Sequence, residues 1–279
     1  MTTTPPGEPE LAHRLLALAM DVAREAGRLI VEDRPRGMGV ADTKTTATDI
    51  VTVMDRRSER LIVERIAAAR PDDGFLGEEG SEREGSSGVS WVVDPIDGTV
   101  NYLYEIPAYA VSIAAAVGGE VVAGVVVNPV LGETWTALRG EGAWLDGRRL
   151  EAVGPPPLEL ALVATGFGYD ARRRTRQAEI LQAVLPRVRD VRRFGAASLD
   201  LCAVAAGRVD AFYEQGLMPW DLAAGGLVAA EAGASVTGLH GRPAGEAFVM
   251  AARPPLAGLL LALLEGLDAD SDPLERAEH

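Results

Sequence analysis

The stretch "WVVDPIDGT", residues 91–99, places the sharpest constraint on any fold open to this chain. An apolar run reads as a buried strand and stops at Asp94, and a second carboxylate, Asp97, follows three residues on. Two carboxylates about 4 Å apart repel by ~1 kcal/mol in water and ~4 kcal/mol at an effective dielectric of 20. Pro95 stiffens the exit from the strand, and Gly98 permits a backbone turn that other residues resist. Thr99 and Asn101 suit the start of a short helix. The spacing therefore folds both acids over one spot, beside the first amides of that helix. Such amides bind anions and paired carboxylates bind hard cations, and a metal-bridged phosphate needs both.

Other acids point the same way. "GEEG" sets Glu78 and Glu79 at the mouth of the preceding strand, and "MPWDLAAGG" puts Asp221 just inside a helix opened by Pro219. The helix dipole favours an anion there. Gly225 and Gly226 lower that helix's intrinsic propensity but suit a close backbone contact. Asp55 shares a helical stripe with Ile62 and Ile66, so its carboxylate needs a partner. Lys44 is the only lysine among 27 basic residues. A compact ammonium suits a tight anionic site in a way that a guanidinium does not.

Composition removes several function classes. The 279 residues, 47% hydrophobic, suffice for one large domain or two intimately joined halves. A net charge of −14 argues against nucleic acid or an anionic membrane as partner. Cys202 is the single cysteine, which excludes an internal disulfide, and its apolar flanks mark it as a buried structural thiol. His13, His240 and His279 are the only histidines, too few and too scattered for a Ser-His-Asp mechanism or histidine-bound zinc. The opening "MTTTPPGEPE" has no basic or apolar region of an export signal. The apolar tract from Tyr109 to Val130 is broken by "GGE" and reads as two strands and a turn. A cytoplasmic location is the expectation.

Periodicity predicts helices over 9–32 and about 49–70, a short strand in "DGFLGEEG", and an exposed loop in "SEREGSSG". Strands follow near 109–117, 121–128, 133–138 and 143–151. "GPPP" at 154–157 is the candidate boundary between halves, about 9–153 and about 158–267, of a single domain. Beyond it come strand 160–165, helix 171–185, strand 189–194, helix 196–206, strand 209–213 and helix 219–233. Two short strands and a helix at 254–266 finish the pattern, and the tail "DADSDPLERAEH" reads as frayed.

Together "GEEG", "WVVDPIDGTVNY" and "WDLAAGGLVAAEAGA" resemble the inositol monophosphatase family of magnesium-dependent, lithium-sensitive phosphatases. "KTTATDIVTVMD" is similar to that family's N-terminal segment, and the likeness spans about residues 10 to 265. The resemblance implies an α/β fold, the layered α-β-α-β-α sandwich of the inositol monophosphatase and fructose-1,6-bisphosphatase type, usually dimeric. It implies two or three Mg²⁺ ions held by Glu78, Asp94, Asp97, Asp221 and the Ile96 carbonyl. Gly98 and Thr99 match backbone donors to phosphate, Asp55 the acid that pairs with Thr99, and Lys44 a lysine near the metals. "RRFGAASLD" and "YEQG" match segments contacting the alcohol, which places Arg192, Gly195, Ala196, Ala197 and Glu214 near its hydroxyls, and the family's substrate site also takes in Ile96, Asp97 and Asp221. Val100 and Ala234 depart from the family pattern, but neither position offers a side-chain ligand atom.

The expected reaction is hydrolysis of a phosphomonoester by a metal-activated water oriented by Glu78 and by Thr99 with Asp55, with Glu79 helping to position it. Myo-inositol 1-phosphate is the first substrate that the resemblance implies. Relatives act on fructose 1,6-bisphosphate, histidinol phosphate, 3′-phosphoadenosine 5′-phosphate or NADP. The reading from another class is a non-catalytic binding protein on the same fold.

Overall fold

In the computed structural model, which describes residues 8–35, 37, 39–40, 42–44, 50–151 and 154–274, helix α1 spans Glu8–Glu32. Its stripe of Leu15, Ala19, Val22, Ala26 and Ile30 is buried, as an apolar face at helical spacing should be. Strands β1 (Asp42–Thr43) and β2 (Ile50–Val51) pair antiparallel ahead of α2 (Val53–Ala69). The expected start of this helix near residue 49 lies outside the described residues. Within them, α2 begins after Thr52, whose side chain accepts from Met54 N while Asp55 accepts from Thr52 N. That reciprocal cap fixes Asp55 in the first turn.

The chain continues through β3 (Gly74–Gly77), β4 (Glu82–Arg83), β5 (Val89–Asp97), α3 (Thr99–Leu103), β6 (Ala110–Val117) and β7 (Glu120–Asn128). Next come β8 (Glu133–Leu138), β9 (Gly142–Leu145) and β10 (Arg148–Arg149). These strands form an eight-stranded sheet in the order β10-β9-β8-β7-β6-β5-β3-β4. A single strand over 143–151 is not what forms. Asp146 and Gly147, both at positive φ, turn β9 back on β10, the backbone that an Asp-Gly pair favours.

After the connection come β11 (Leu162–Thr165), α4 (Ala171–Val184), β12 (Asp190–Arg192), α5 (Ala197–Ala205) and β13 (Ala211–Glu214). The last elements are α6 (Pro219–Glu231), β14 (Ser235–Thr237), β15 (Val249–Ala252) and α7 (Leu256–Glu265). The second sheet has five strands in the order β12-β11-β13-β15-β14.

Five layers result. Apolar side chains of α1 and α2 pack with Trp91, Val93, Ile113 and Val125 on one face of the first sheet. On its other face Ala110, Ala114, Val126 and Trp135 meet Leu199 and Cys202 of α5 and Ala224, Leu227 and Val228 of α6. The far sides of α5 and α6 cover Ala164, Phe212, Val249 and Ala251 of the second sheet. The opposite face of that sheet packs on α4 and α7. The structure therefore has the expected α-β-α-β-α order, with α5 and α6 shared between the sheets. Cys202 is buried in the shared layer, as its flanks imply. Among the described residues no helix is long and apolar enough to cross a membrane.

Two glycines permit close approach inside this layer. A Cβ on Gly124 would lie 3.1 Å from the Ala224 backbone, and one on Gly225 would lie 3.0 Å from the Ser198 backbone. The small residues of "AAGG" thus let α6 press against both β7 and α5.

Candidate active site and metal centre

Strand β5 does not end at Asp94 as the sequence suggests; it runs on to Asp97 through a break in register. Asp94 faces Ser112 of β6 and Asp97 faces Ala110, so three steps on β5 oppose two on β6. In a regular strand, residues three apart point to opposite faces. The extra residue is a bulge that brings Asp97 round to the side of Asp94. Ile96 N donates to Asp94 Oδ1 at 3.0 Å across it. Gly98 follows at φ 89°, with room for no side chain, since a Cβ would sit 3.0 Å from Ala108 O and 3.1 Å from Gly195 O.

Asp221 joins the pair from α6, where its carboxylate accepts from Met218 N at 2.7 Å. Ligand oxygens of Asp94, Asp97 and Asp221 all lie within 4.8 Å of one another. Asp97 is further fixed by Ala197 N at 3.2 Å, Ser198 N at 2.7 Å and the Ser198 hydroxyl. Glu78 sits just past β3, and Lys44 Nζ reaches Glu78 Oε1 at 2.6 Å and Glu79 Oε1 at 2.7 Å.

Burial raises the pKa of all four acids. Asp94 is pushed well up by burial and then by Glu78, Asp97 and Asp221. Asp221 rises by burial and then by Glu78 and Asp97. For Glu78 burial outweighs the opposing Lys44 ammonium, and for Asp97 it outweighs the donors from Ser198 and Ala197. Burial alone would lower the Lys44 ammonium, but Glu78 and Glu79 more than reverse that and raise it. Among the described residues, buried Glu78 Oε2 has no hydrogen-bond partner. A converging set of oxygen ligands with one orphaned atom fits a hard divalent cation and suits zinc or copper poorly.

Asp55 and Thr99 meet as the resemblance implies. Thr99 Oγ1 lies 3.0 Å from Asp55 Oδ1 and 3.1 Å from the Ile96 carbonyl. Asp55 also accepts from the backbone and hydroxyl of Thr52, yet its burial carries the pKa up to about 7.

One cavity of about 500 Å³ collects most of the expected residues. Lys44, Glu78, Asp94, Ile96, Asp97, Gly98 and Thr99 form one wall, with Asp221 beside them. Gly195, Ala196, Ala197 and Glu214 also line it, Ala197 N donating to Asp97 Oδ1 at 3.2 Å. Glu79 is not part of the lining; its carboxylate faces Lys44 and, at 4.0 Å, Arg56. Arg192 is likewise outside it. It is a β12 residue turned outward, its guanidinium 2.6 Å from Asp190. Its neighbour Arg193 lines the cavity instead, over Gly195, whose φ of 90° and missing Cβ leave space for the guanidinium.

Sequence reasoning passed over Glu59, Arg193, Ser198 and Asp200. Glu59 is buried and accepts from Glu79 N at 2.8 Å and Ser81 N at 3.0 Å, so it holds the "GEEG" turn in place. A Cβ on Gly77 would lie 2.5 Å from Glu59 Oε2, so any side chain there would push the Glu59 carboxylate off the turn it holds. A signal for Glu59 existed: it lies four residues after Asp55 on the same stripe as Ile62 and Ile66. Asp200 is buried, its Oδ1 without a hydrogen-bond partner among the described residues, and burial followed by Glu214 and Asp97 pushes its pKa well up. Burial also raises Glu214, to about 8, against the opposing Arg193.

A sequence profile of the inositol monophosphatase family matches residues 11–269. The inositol-1-monophosphatase SuhB of Mycobacterium tuberculosis is 47% identical over 94% of this chain and 96% of its own. The Nus factor SuhB of Escherichia coli is 38% identical over 95% of this chain and all of its own. Among solved structures, extragenic suppressor protein suhB from Bartonella henselae superposes with a TM-score of 0.85 at 38% identity, covering 90% of this chain and 98% of that one.

Proposed function

Because the chain belongs to the inositol monophosphatase family, we propose that it is a metal-dependent phosphomonoesterase whose first substrate is myo-inositol 1-phosphate. The observation that carries this reading is the meeting of the Asp94–Asp97–Asp221 cluster with the Asp55–Thr99 pair at one cavity. A purely structural cation site would not need a buried acid and a hydroxyl arranged in register beside it.

Glu78, Asp94, Asp97, Asp221 and the Ile96 carbonyl would hold the two or three Mg²⁺ ions of this reading. When bound, these ions neutralise the acids, offset the substrate phosphate and acidify water. The chain's own part is positional. Asp55 accepts the Thr99 hydroxyl proton, which leaves a lone pair on Thr99 Oγ1 to receive an O–H of the attacking water. Glu78 receives the other, and Lys44 favours its charged form and fixes its direction. Glu79 holds Lys44 from the far side. Backbone N–H groups at Gly98 and Thr99 face the phosphate, while Gly195, Ala196, Ala197, Glu214 and Arg193 face the hydroxyls of the alcohol. In-line attack needs this fixed geometry more than it needs a covalent intermediate.

Lithium inhibition, a homodimer and a cytoplasmic location complete the proposal. The exposed apolar side chains Tyr104, Ile106, Val130 and Leu131 support a face that a second copy covers. The net charge of −14 supports a small anionic ester, met through cations, over a nucleic acid.

The test is phosphate release from myo-inositol 1-phosphate, fructose 1,6-bisphosphate, histidinol phosphate, 3′-phosphoadenosine 5′-phosphate and NADP, with and without Mg²⁺ and then with Li⁺. The expected result is Mg²⁺-dependent, Li⁺-inhibited release, fastest from the inositol ester. Fastest release from another ester keeps the reaction and changes the substrate. No release from any of them by folded, metal-supplied protein overturns the enzyme reading in favour of a binding protein.

A further inference from the structure

The tail read as frayed is anchored as far as the structure describes it. The Arg173 guanidinium pairs with Asp272, both side chains largely buried. Gln215 Nε2 donates to Asp270 O at 3.2 Å, Arg176 donates to Asp268 O at 3.1 Å, and Arg242 pairs with Asp270. Leu274 N donates to Asp272 Oδ1 at 2.9 Å, and the Leu274 side chain stands in the lining of the cavity that holds the acidic cluster.

Arg173 reaches that position through two glycine gaps. A Cβ on Gly168 would lie 3.0 Å from Arg173 Cδ, and one on Gly216 would lie 2.5 Å from Arg173 Nη1. Gln177, one helical turn on, accepts from Gly168 N at 2.9 Å and donates to Gln215 O at 3.3 Å. One face of α4 therefore bolts together three pieces of the cavity wall: the loop after β11, the loop after β13, and the C-terminal segment. Glu214 heads the second of these, so whatever sets that loop sets the group facing the alcohol.

We propose that the Arg173–Asp272 pair and the Leu274 side chain close the alcohol end of the cavity and set the size of alcohol it accepts. The proposal rests on the phosphatase reading and deepens it: it names the wall that matches a ring polyol. Arg173 and Asp272 are positioning residues, acting through the loops they join. An ester whose alcohol is too short to reach the wall is insensitive to them, one that spans the cavity depends on them, and one too large gains when they are removed.

The experiment compares kcat and KM of the full chain and of Asp272→Ala on myo-inositol 1-phosphate, glycerol 2-phosphate and adenosine 2′-monophosphate, with Mg²⁺. The expected result is a rise in KM for the inositol ester of about three- to tenfold with kcat held, the mark of lost uniform binding. The ratio of kcat/KM, inositol ester to glycerol ester, falls by the same factor, and the adenosine ester gains relative to both. Asp272→Glu restores the ratio. Equal losses on all three esters, or no change in the ratio, overturn the proposal. If Asp272→Ala does not fold, Leu274→Ala, which leaves the ion pair in place, is judged by the same ratios. If the wild type ignores the inositol ester but hydrolyses another, the substrate reading has failed separately, and the ratio is taken with that ester instead.

Discussion

The two walls of the cavity are assembled in opposite ways. The wall proposed to face phosphate, from Asp94 to Thr99, is one unbroken stretch, shaped by a bulge in β5 and a left-handed glycine. Its acids are tied down by short contacts to backbone N–H groups, as Asp94 is by Ile96 and Asp97 by Ser198, and Asp221 joins them from α6, held by Met218 N. The wall proposed to face the alcohol draws Gly166, Arg173, Arg193, Glu214 and Leu274 from separate segments. Glu214 and, behind the lining, Asp200 are pushed up by burial, and Asp200 Oδ1 has no hydrogen-bond partner among the described residues. Local geometry shapes the Asp94–Thr99 stretch, and long-range partners such as Ser198 then hold it; the second wall is assembled by long-range packing throughout. A chain built this way can keep one reaction while its alcohol changes, because the two functions rest on different parts of the sequence.

Breaking the first wall should have the largest effect. Asp94→Asn or Asp221→Asn should lower kcat about a thousandfold, equivalent to ~4 kcal/mol in the barrier, with the fold intact by circular dichroism. Without divalent metal the same variants should melt higher than the wild type, since one member of a repelling cluster is gone. Normal turnover at ordinary Mg²⁺ would remove Asp94 and Asp221 from the ligand set.

The second wall should respond in KM alone. A methyl at position 166 would overlap the Glu214 carboxylate. Gly166→Ala should therefore displace Glu214 and raise KM for the inositol ester about tenfold, the worth of one hydrogen bond of ~1.4 kcal/mol, with kcat nearly held. A fall in kcat with KM unchanged would show that Glu214 serves the phosphate side instead.

The smallest effect separates the walls by their response to metal. Asp55 is raised from an ordinary 3.8 to about 7 and Glu214 from 4.5 to about 8. Between roughly pH 4 and pH 8 the folded chain thus keeps protons that the unfolded chain has released, so stability must fall as pH rises through that window. Metal-free protein should melt lower at pH 7.5 than at pH 5.5. Mg²⁺ should reduce the difference by relieving the cluster, and Glu214→Gln should remove part of what remains. A melting temperature that rises over this range in metal-free protein would contradict the burial assigned to these acids.

The same contrast explains what the sequence makes legible. Helix and strand order follow from periodicity, and the layers follow from which faces are apolar. The acidic cluster is readable because its spacing, proline and glycine are local. The bulge is harder to read, since a register slip is decided by β6, and so the strand seems to stop at Asp94. Adjacent residues in an extended segment face opposite ways, and sequence cannot say which of Arg192 and Arg193 turns inward. Glu59 caps a turn twenty residues away, a pairing that only the packed structure brings about. The C-terminal segment looks polar and frayed because its partners, Arg173, Gln215 and Arg242, lie far back in the chain.

Lys44 has a practical consequence. It supplies the chain's sole side-chain amine, and that amine lies between Glu78 and Glu79 at the edge of the acidic cluster. An acylating reagent thus meets a protein with one internal target, masked for as long as both carboxylates hold the ammonium. A cation that claims Glu78 loosens that grip, so the rate of acylation becomes a readout of site occupancy without any substrate present.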